Sequence, residues 1–172
     1  MKKISLLLIP VLVFVLGFSA ACTDESSKDQ AAANENANPA YDFELTTLNG
    51  ETVTLDSYKG KVLILDMWDT WCPPCKAEIP HFIELYDEYN DQGLEILGVA
   101  FGREGVNAVR QFIKDYNVNY PNAIGNQAIV DGFGGIRAIP TTFIIDQKGN
   151  IHQKLVGYKE KQVFENHINE LL

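Results

Sequence analysis

Basic side chains are scarce. Lys and Arg number 14 against 23 Asp and Glu, for a formal net charge of −9, and no basic run follows Lys2 and Lys3. A chain charged this way repels phosphate backbones, which argues against nucleic acid as a partner. Cysteine is scarcer still: three are too few for a disulfide scaffold or a four-thiolate zinc site. His81, His152 and His167 are scattered over a helix, a hairpin and the last helix, which reads as surface or interfacial histidines. No metal and no other cofactor is therefore expected. No apolar run reaches the roughly 20 residues that span a bilayer, and there is no internal repeat. What is present is an ordinary globular composition, 172 residues at 46% hydrophobic and 22% charged. That length suits one domain with something added at an end.

The addition is at the front. Lys2 and Lys3 precede an apolar stretch, Ile4 to Phe18, followed by small residues Ser19-Ala20-Ala21. The pattern fits a secretory signal over 1–21; an uncleaved anchor helix is the alternative, and either one exports the rest. Cys22 after the small residues resembles the lipobox of bacterial lipoproteins, and the resemblance implies lipid attachment at Cys22. Ser19 stands where that family carries a large aliphatic residue, so plain cleavage after Ala21 stays open. Residues 22–40 hold almost no large apolar side chain and cannot offset the entropy of ordering, so they read as a flexible tether. On so acidic a chain, membrane attachment has to come from acyl chains. Residues 41–172 are long enough for an independent core.

Within that domain, Phe43–Thr46 and Thr52–Leu55 alternate around Asn49-Gly50, an amino-terminal β-hairpin signal. Val62-Leu63-Ile64-Leu65 is continuously apolar, as a strand covered on both faces would be. Ile79, Phe82, Ile83, Tyr86 and Tyr89 recur at helical spacing. A strand over Leu94–Phe101 and a helix marked by Val106, Val109, Ile113 and Tyr116 follow. Thr142–Ile145 and Ile151–Val156 form a second hairpin, and Val163, Phe164, Ile168 and Leu171 line a closing helix. The order implies a mixed sheet with helices on both faces, a three-layer α/β/α sandwich.

Trp71-Cys72-Pro73-Pro74-Cys75 falls where the apolar strand ends and a helix begins. Free N–H groups at a helix start stabilise a thiolate. Cys72, at the open end, is expected to attack; Cys75, one turn in and more covered, is expected to resolve the mixed disulfide. Pro73 and Pro74 suit the first helical positions. A structural disulfide and a zinc site are the competing readings; the first gains little from so short a loop, and the second lacks two ligands. Asp66 interrupts the apolar strand, either to handle the resolving thiol's proton or as a solvent-open strand end. Glu78, one turn past Cys75, is either a second tuning group or a solvated helix charge. Pro80 inside the helix removes a backbone bond. On composition alone, Pro140 in Ile139-Pro140-Thr141 reads as a trans proline at a strand start.

The run Asp66-Met67-Trp68-Asp69-Thr70-Trp71-Cys72-Pro73-Pro74-Cys75, with the distant Ile139-Pro140-Thr141-Thr142, resembles the active site of the thioredoxin superfamily. The long segment between Phe101 and Ile139, the Glu78/Pro80 pair and the anchored amino terminus are similar to the TlpA/ResA-like membrane-tethered thiol-disulfide oxidoreductases. The resemblance covers about 41–172. It implies a thioredoxin-like sandwich with an insertion before the Ile-Pro-Thr loop and a cis Pro140 packed on the cysteines and offering backbone groups to a substrate strand. Trp71, Pro73, Pro74, Ile139, Pro140 and Thr141 are then the substrate-binding residues, and Cys72, Cys75, Asp66 and Glu78 the catalytic ones. That subgroup commonly has Asn at the position of Asp66. Asp69, where a small residue is usual, is expected to raise the Cys72 pKa and to disfavour acidic substrates.

The leading function is an exported reductase of protein disulfides, fed by a membrane thiol-disulfide electron donor. The resemblance implies apocytochrome c as a client. A disulfide-donating oxidase uses the same steps in reverse, and a lipid-tethered binding or chaperone module with a structural disulfide is the non-enzymatic reading. A peroxidase of the related fold carries Thr three residues before its reactive cysteine and Pro four before that Thr; here these positions are Asp69 and Leu65. An open face around Cys72 and Pro140 suggests a monomer.

Overall fold

The continuous apolar runs become the middle strands of a sheet. The computed structural model describes residues 38–172; the expected signal segment, Cys22 and the tether up to residue 37 lie outside the described residues. Strands β1 (Glu44–Thr46) and β2 (Thr52–Thr54) form a hairpin, followed by a single turn at Leu55–Tyr58. Next come β3 (Val62–Trp68), α1 (Pro73–Tyr89), β4 (Leu94–Ala100) and α2 (Val106–Asp115). Then follow β5 (Asn122–Ile124), α3 (Gln127–Gly132), β6 (Thr141–Ile145), β7 (Ile151–Val156) and α4 (Lys161–Leu171). The main sheet has the order β5-β4-β3-β6-β7. Strands β3, β4 and β5 are parallel, whereas β6 and β7 are antiparallel to their neighbours.

Every residue of β3 is buried because its two faces meet different layers. Leu63, Leu65 and Met67 pack with Phe43 and Leu45 of the hairpin segment and with Ile129 and Phe133 of the α3 segment. Val62 and Ile64 face Phe82, Leu85, Phe164 and Ile168 of α1 and α4, and Trp68 meets Ile79, Val109 and Phe112. The expected three layers are present. Helices α1, α2 and α4 cover one face; the hairpin, a separate two-stranded sheet, covers the other together with α3.

Sequence patterning did not anticipate β5 and α3. At three and six residues they are too short for periodicity to register. They matter because β5 extends the sheet beside β4, and Asn122 on it accepts from Trp68 Nε1 at 3.0 Å while donating to the Tyr120 carbonyl at 3.0 Å. Gly98 lies under that bond; a Cβ there would overlap the Asn122 side chain and crowd Trp68 Nε1, so the close approach requires glycine. Before Tyr41, Asn38–Ala40 lie on the β6–β7 turn: Ala40 N–H donates to Gly149 O at 2.9 Å and Ile151 N–H to Asn38 O at 2.7 Å. Among the described residues no helix is long and apolar enough to cross a membrane.

Candidate active site

The chain leaves the carboxyl end of β3 through Asp69-Thr70-Trp71, and Cys72 becomes the N-cap of α1, with Pro73 and Pro74 in its first positions. Cys72 and Cys75 form a disulfide with Cα atoms 5.3 Å apart. Cys72 Sγ accepts from Cys75 N–H at 3.2 Å, an interaction that strengthens once that sulfur is a thiolate. The sequence anticipated an open Cys72 and a covered Cys75, but both are 1% exposed. Position separates them instead. Cys72 sits at the helix cap with its Sγ 3.6 Å from the Ile139 carbonyl, whereas Cys75 lies inside the first turn.

The Ile139–Pro140 peptide is cis, as the resemblance implied and composition alone did not. Pro140 has no N–H, and its carbonyl accepts from Gly157 N–H at 2.8 Å. The Ile139 carbonyl is the backbone group of this loop that faces Cys72. Thr141 is buried and its hydroxyl donates to Ala138 O at 2.7 Å, shaping the loop from within. Pro73 and Pro74 are exposed beside the disulfide. Trp71 is 43% exposed and forms one wall of a groove of about 210 Å³ with Phe101, Ile136, Arg137, Ala138 and Ile139. The Arg103 guanidinium lies 5.2 Å from its ring centroid.

Asp69 differs from its sequence reading. Fully buried, it accepts at Oδ1 from Thr70 N–H (2.8 Å) and at Oδ2 from Trp71 Nε1 (2.9 Å) and Arg103 N–H (3.1 Å), while the Thr70 hydroxyl donates to Glu104 Oε2 at 2.7 Å. It organises the loop and aims Trp71 rather than presenting charge to a substrate. Arg137 lines the groove and Arg103 covers Trp71, while the exposed Glu104 carboxylate accepts from the Thr70 hydroxyl beside them, so charge of both signs stands near the site.

Alternation along β3 turns Asp66 toward α1, the face on which Glu78 lies. Each is 1% exposed, which settles against a solvent-open strand end and a solvated helix charge. Burial, then the Glu78 charge, pushes the Asp66 carboxyl well above its ordinary range; the Thr142 hydroxyl, donating at 3.3 Å, opposes this only in part. Burial likewise raises Glu78 to about 7, against the Lys159 N–H, which donates to Oε1 at 2.7 Å. Glu78 Oε2 is buried without a partner among the described residues. The Tyr120 phenol is raised by burial and by both carboxylates. Two carboxyls raised toward protonation therefore sit on the α1 side of β3, Asp66 on the strand and Glu78 one turn past Cys75 on the helix.

The roles of Arg103, Arg137, Tyr120 and the Lys159 N–H escaped sequence reading, since no local pattern marks them. The fold also brings together two of the histidines read as scattered: His152 and His167 touch, while His81 pairs with Tyr158. Cys22 lies outside the described residues.

Residues 36–154 match the AhpC/TSA family. A thiol-disulfide oxidoreductase ResA of Bacillus cereus is 30% identical over 175 residues, covering 99% of each chain. That of Geobacillus kaustophilus is 34% identical over 161 residues, 94% of this chain and 90% of its own. Among solved structures, a thiol:disulfide interchange protein of the thioredoxin family from Chlorobium tepidum superposes with a TM-score of 0.74 at 30% identity, over 81% of this chain and 99% of its own. StoA from Bacillus subtilis gives 0.64 at 28% identity, over 76% and 97%.

Proposed function

Because the chain belongs to the AhpC/TSA family and is a thiol-disulfide oxidoreductase of the ResA type, we propose that it works outside the cytoplasm as a reductase of protein disulfides. In this reading 1–21 directs export, Cys22 carries lipid, and the tether lets the domain reach its clients from the membrane. The reduced Cys72 thiolate attacks one sulfur of a client disulfide, and the other client sulfur leaves and takes a proton. Cys75 then passes its proton to the Asp66–Glu78 pair and attacks Cys72. The client leaves as a dithiol and the Cys72–Cys75 disulfide remains. A membrane dithiol donor returns two electrons and two protons.

The buried carboxyl pair supports the reductive direction. A disulfide oxidises strongly when its reduced form is stabilised by a low-pKa thiolate. Here Glu78, once ionised above about pH 7, sets a negative charge one turn past Cys75 that works against a thiolate, and no histidine stands between the cysteines to favour it. Among the described residues the Cys72 thiolate then has the helix start and the Cys75 N–H to stabilise it and no charged partner, so the pair gives up electrons readily. A client strand lies along Trp71 and Ile139 in the apolar groove. Apocytochrome c, whose haem-binding cysteines need reducing before attachment, is the client the family resemblance favours, and the open groove suits a monomer.

The test is the reduction potential of the cysteine pair, read by Trp68 and Trp71 fluorescence in dithiol buffers. A value near or below about −270 mV supports the reductase; one near about −120 mV makes the protein a disulfide donor. Failure to titrate reversibly leaves a binding module with a structural disulfide. For the client, a strain lacking the gene is expected to lose c-type cytochromes and to recover them when an external thiol is supplied; unchanged cytochrome levels remove apocytochrome c.

A further inference from the structure

Away from the disulfide, among the described residues, one group of metal-ligating side chains converges: His152, His167 and Glu170. His152 is the second residue of β7, while His167 and Glu170 are three apart on α4 and so share one helix face. His152 Nε2 lies 3.3 Å from His167 Nδ1 and 3.3 Å from Glu170 Oε2, and His167 Nδ1 lies 3.6 Å from Glu170 Oε2. The two rings meet edge to face at 5.2 Å.

These spacings match a coordination polyhedron. Zinc bonds of about 2.0–2.2 Å at the tetrahedral angle hold their ligand atoms about 3.3–3.6 Å apart. Hydrogen bonding serves the triangle poorly when the rings are neutral. Two ring nitrogens and a carboxylate oxygen, each able to accept, face one another, and one proton satisfies a single edge. A cation bonded to all three satisfies every edge at once. We propose that His152, His167 and Glu170 form a binding site for a zinc-class divalent cation, with the fourth position open to water.

The ligand set, two imidazoles and a carboxylate, is one zinc accepts with an open position. The ligands come from an edge strand and the closing helix, so the ion clips α4 to the sheet. The site is separate from the redox chemistry. Strand β7 runs from His152 toward Gly157, which holds the Pro140 carbonyl, and at about 3.3 Å per residue the two ends of the strand lie well apart.

The experiment titrates zinc into the full chain with Cys72–Cys75 oxidised and Cys22 alkylated, followed by calorimetry. One zinc per chain is expected. His152→Ala and His167→Ala are each expected to weaken binding by more than the ~10–100-fold that loss of an outer hydrogen-bond partner costs. Glu170→Gln should weaken it less, and His81→Ala not at all. Cobalt(II), as a stand-in, is expected to give the intense visible bands of four-coordination in the unmodified protein and not in the histidine variants. Zinc is also expected to raise the melting temperature of the unmodified protein but not of His167→Ala, whose fold is checked by its metal-free melting curve. Zinc binding that survives both histidine substitutions, or its absence from the unmodified protein, would overturn the site.

Discussion

Asp69 and the pair Asp66–Glu78 lie at almost the same depth on either side of the disulfide, with opposite consequences. Asp69 meets two backbone N–H groups and the Trp71 indole N–H. Asp66 has one hydroxyl donor, and Glu78 has one backbone N–H and an oxygen with none among the described residues. A buried carboxylate surrounded by donors is a fixed anchor. One short of donors is forced toward its protonated form, as the proposed proton carrier requires. Donor supply, rather than burial, divides the two jobs.

Breaking the anchor has the largest expected effect. Asp69→Ala leaves the Thr70 and Arg103 N–H groups and the Trp71 indole without their acceptor, and about 3 kcal/mol of stability is expected to go. Denaturant unfolding measures it, and a loss below about 1 kcal/mol would show Asp69 to be dispensable. Next comes the carrier. Glu78→Gln is expected to slow disulfide turnover by about 100-fold and to remove an inflection near pH 7 from the rate profile. An unchanged profile would move the proton work to Asp66.

The same substitution should have the reverse effect on stability. Glu78 has a folded-state pKa of about 7 against an ordinary 4.5, so the folded protein binds the extra proton. Its ionisation costs nothing below about pH 4.5, more as pH rises through that window, and its full amount above 7. Glu78→Gln is therefore expected to match the unmodified protein at about pH 4 and to exceed it at about pH 8, by at most about 3 kcal/mol. Asp66→Asn should shift stability in the same direction. Thr142→Val is the smallest perturbation: about 1 kcal/mol of stability lost and a further rise of the Asp66 pKa, seen by carboxyl NMR.

Much of this was legible in the chain. The apolar run Val62–Leu65 identified a strand buried on both faces, the two prolines after Cys72 identified a helix start, and the tryptophan-flanked cysteines identified redox chemistry. Asp66 and Glu78 were visible as oddities, and each kept a bland alternative because burial of a single carboxylate is not a local property. Asp69 was misread for the same reason: its partner at Arg103 is 34 residues away, beyond any periodic signal.

By itself, then, the sequence determined the period of each long element, the helix cap that carries the cysteines, and hence the class of chemistry. These depend on neighbours within a turn or a strand, where side-chain spacing and backbone geometry act directly. The tertiary structure alone decided which carboxylates are starved of donors and that His152 and His167 meet at all. Each of those depends on groups brought together from distant segments, through a sheet order that places β6 beside β3 and α4 against β7.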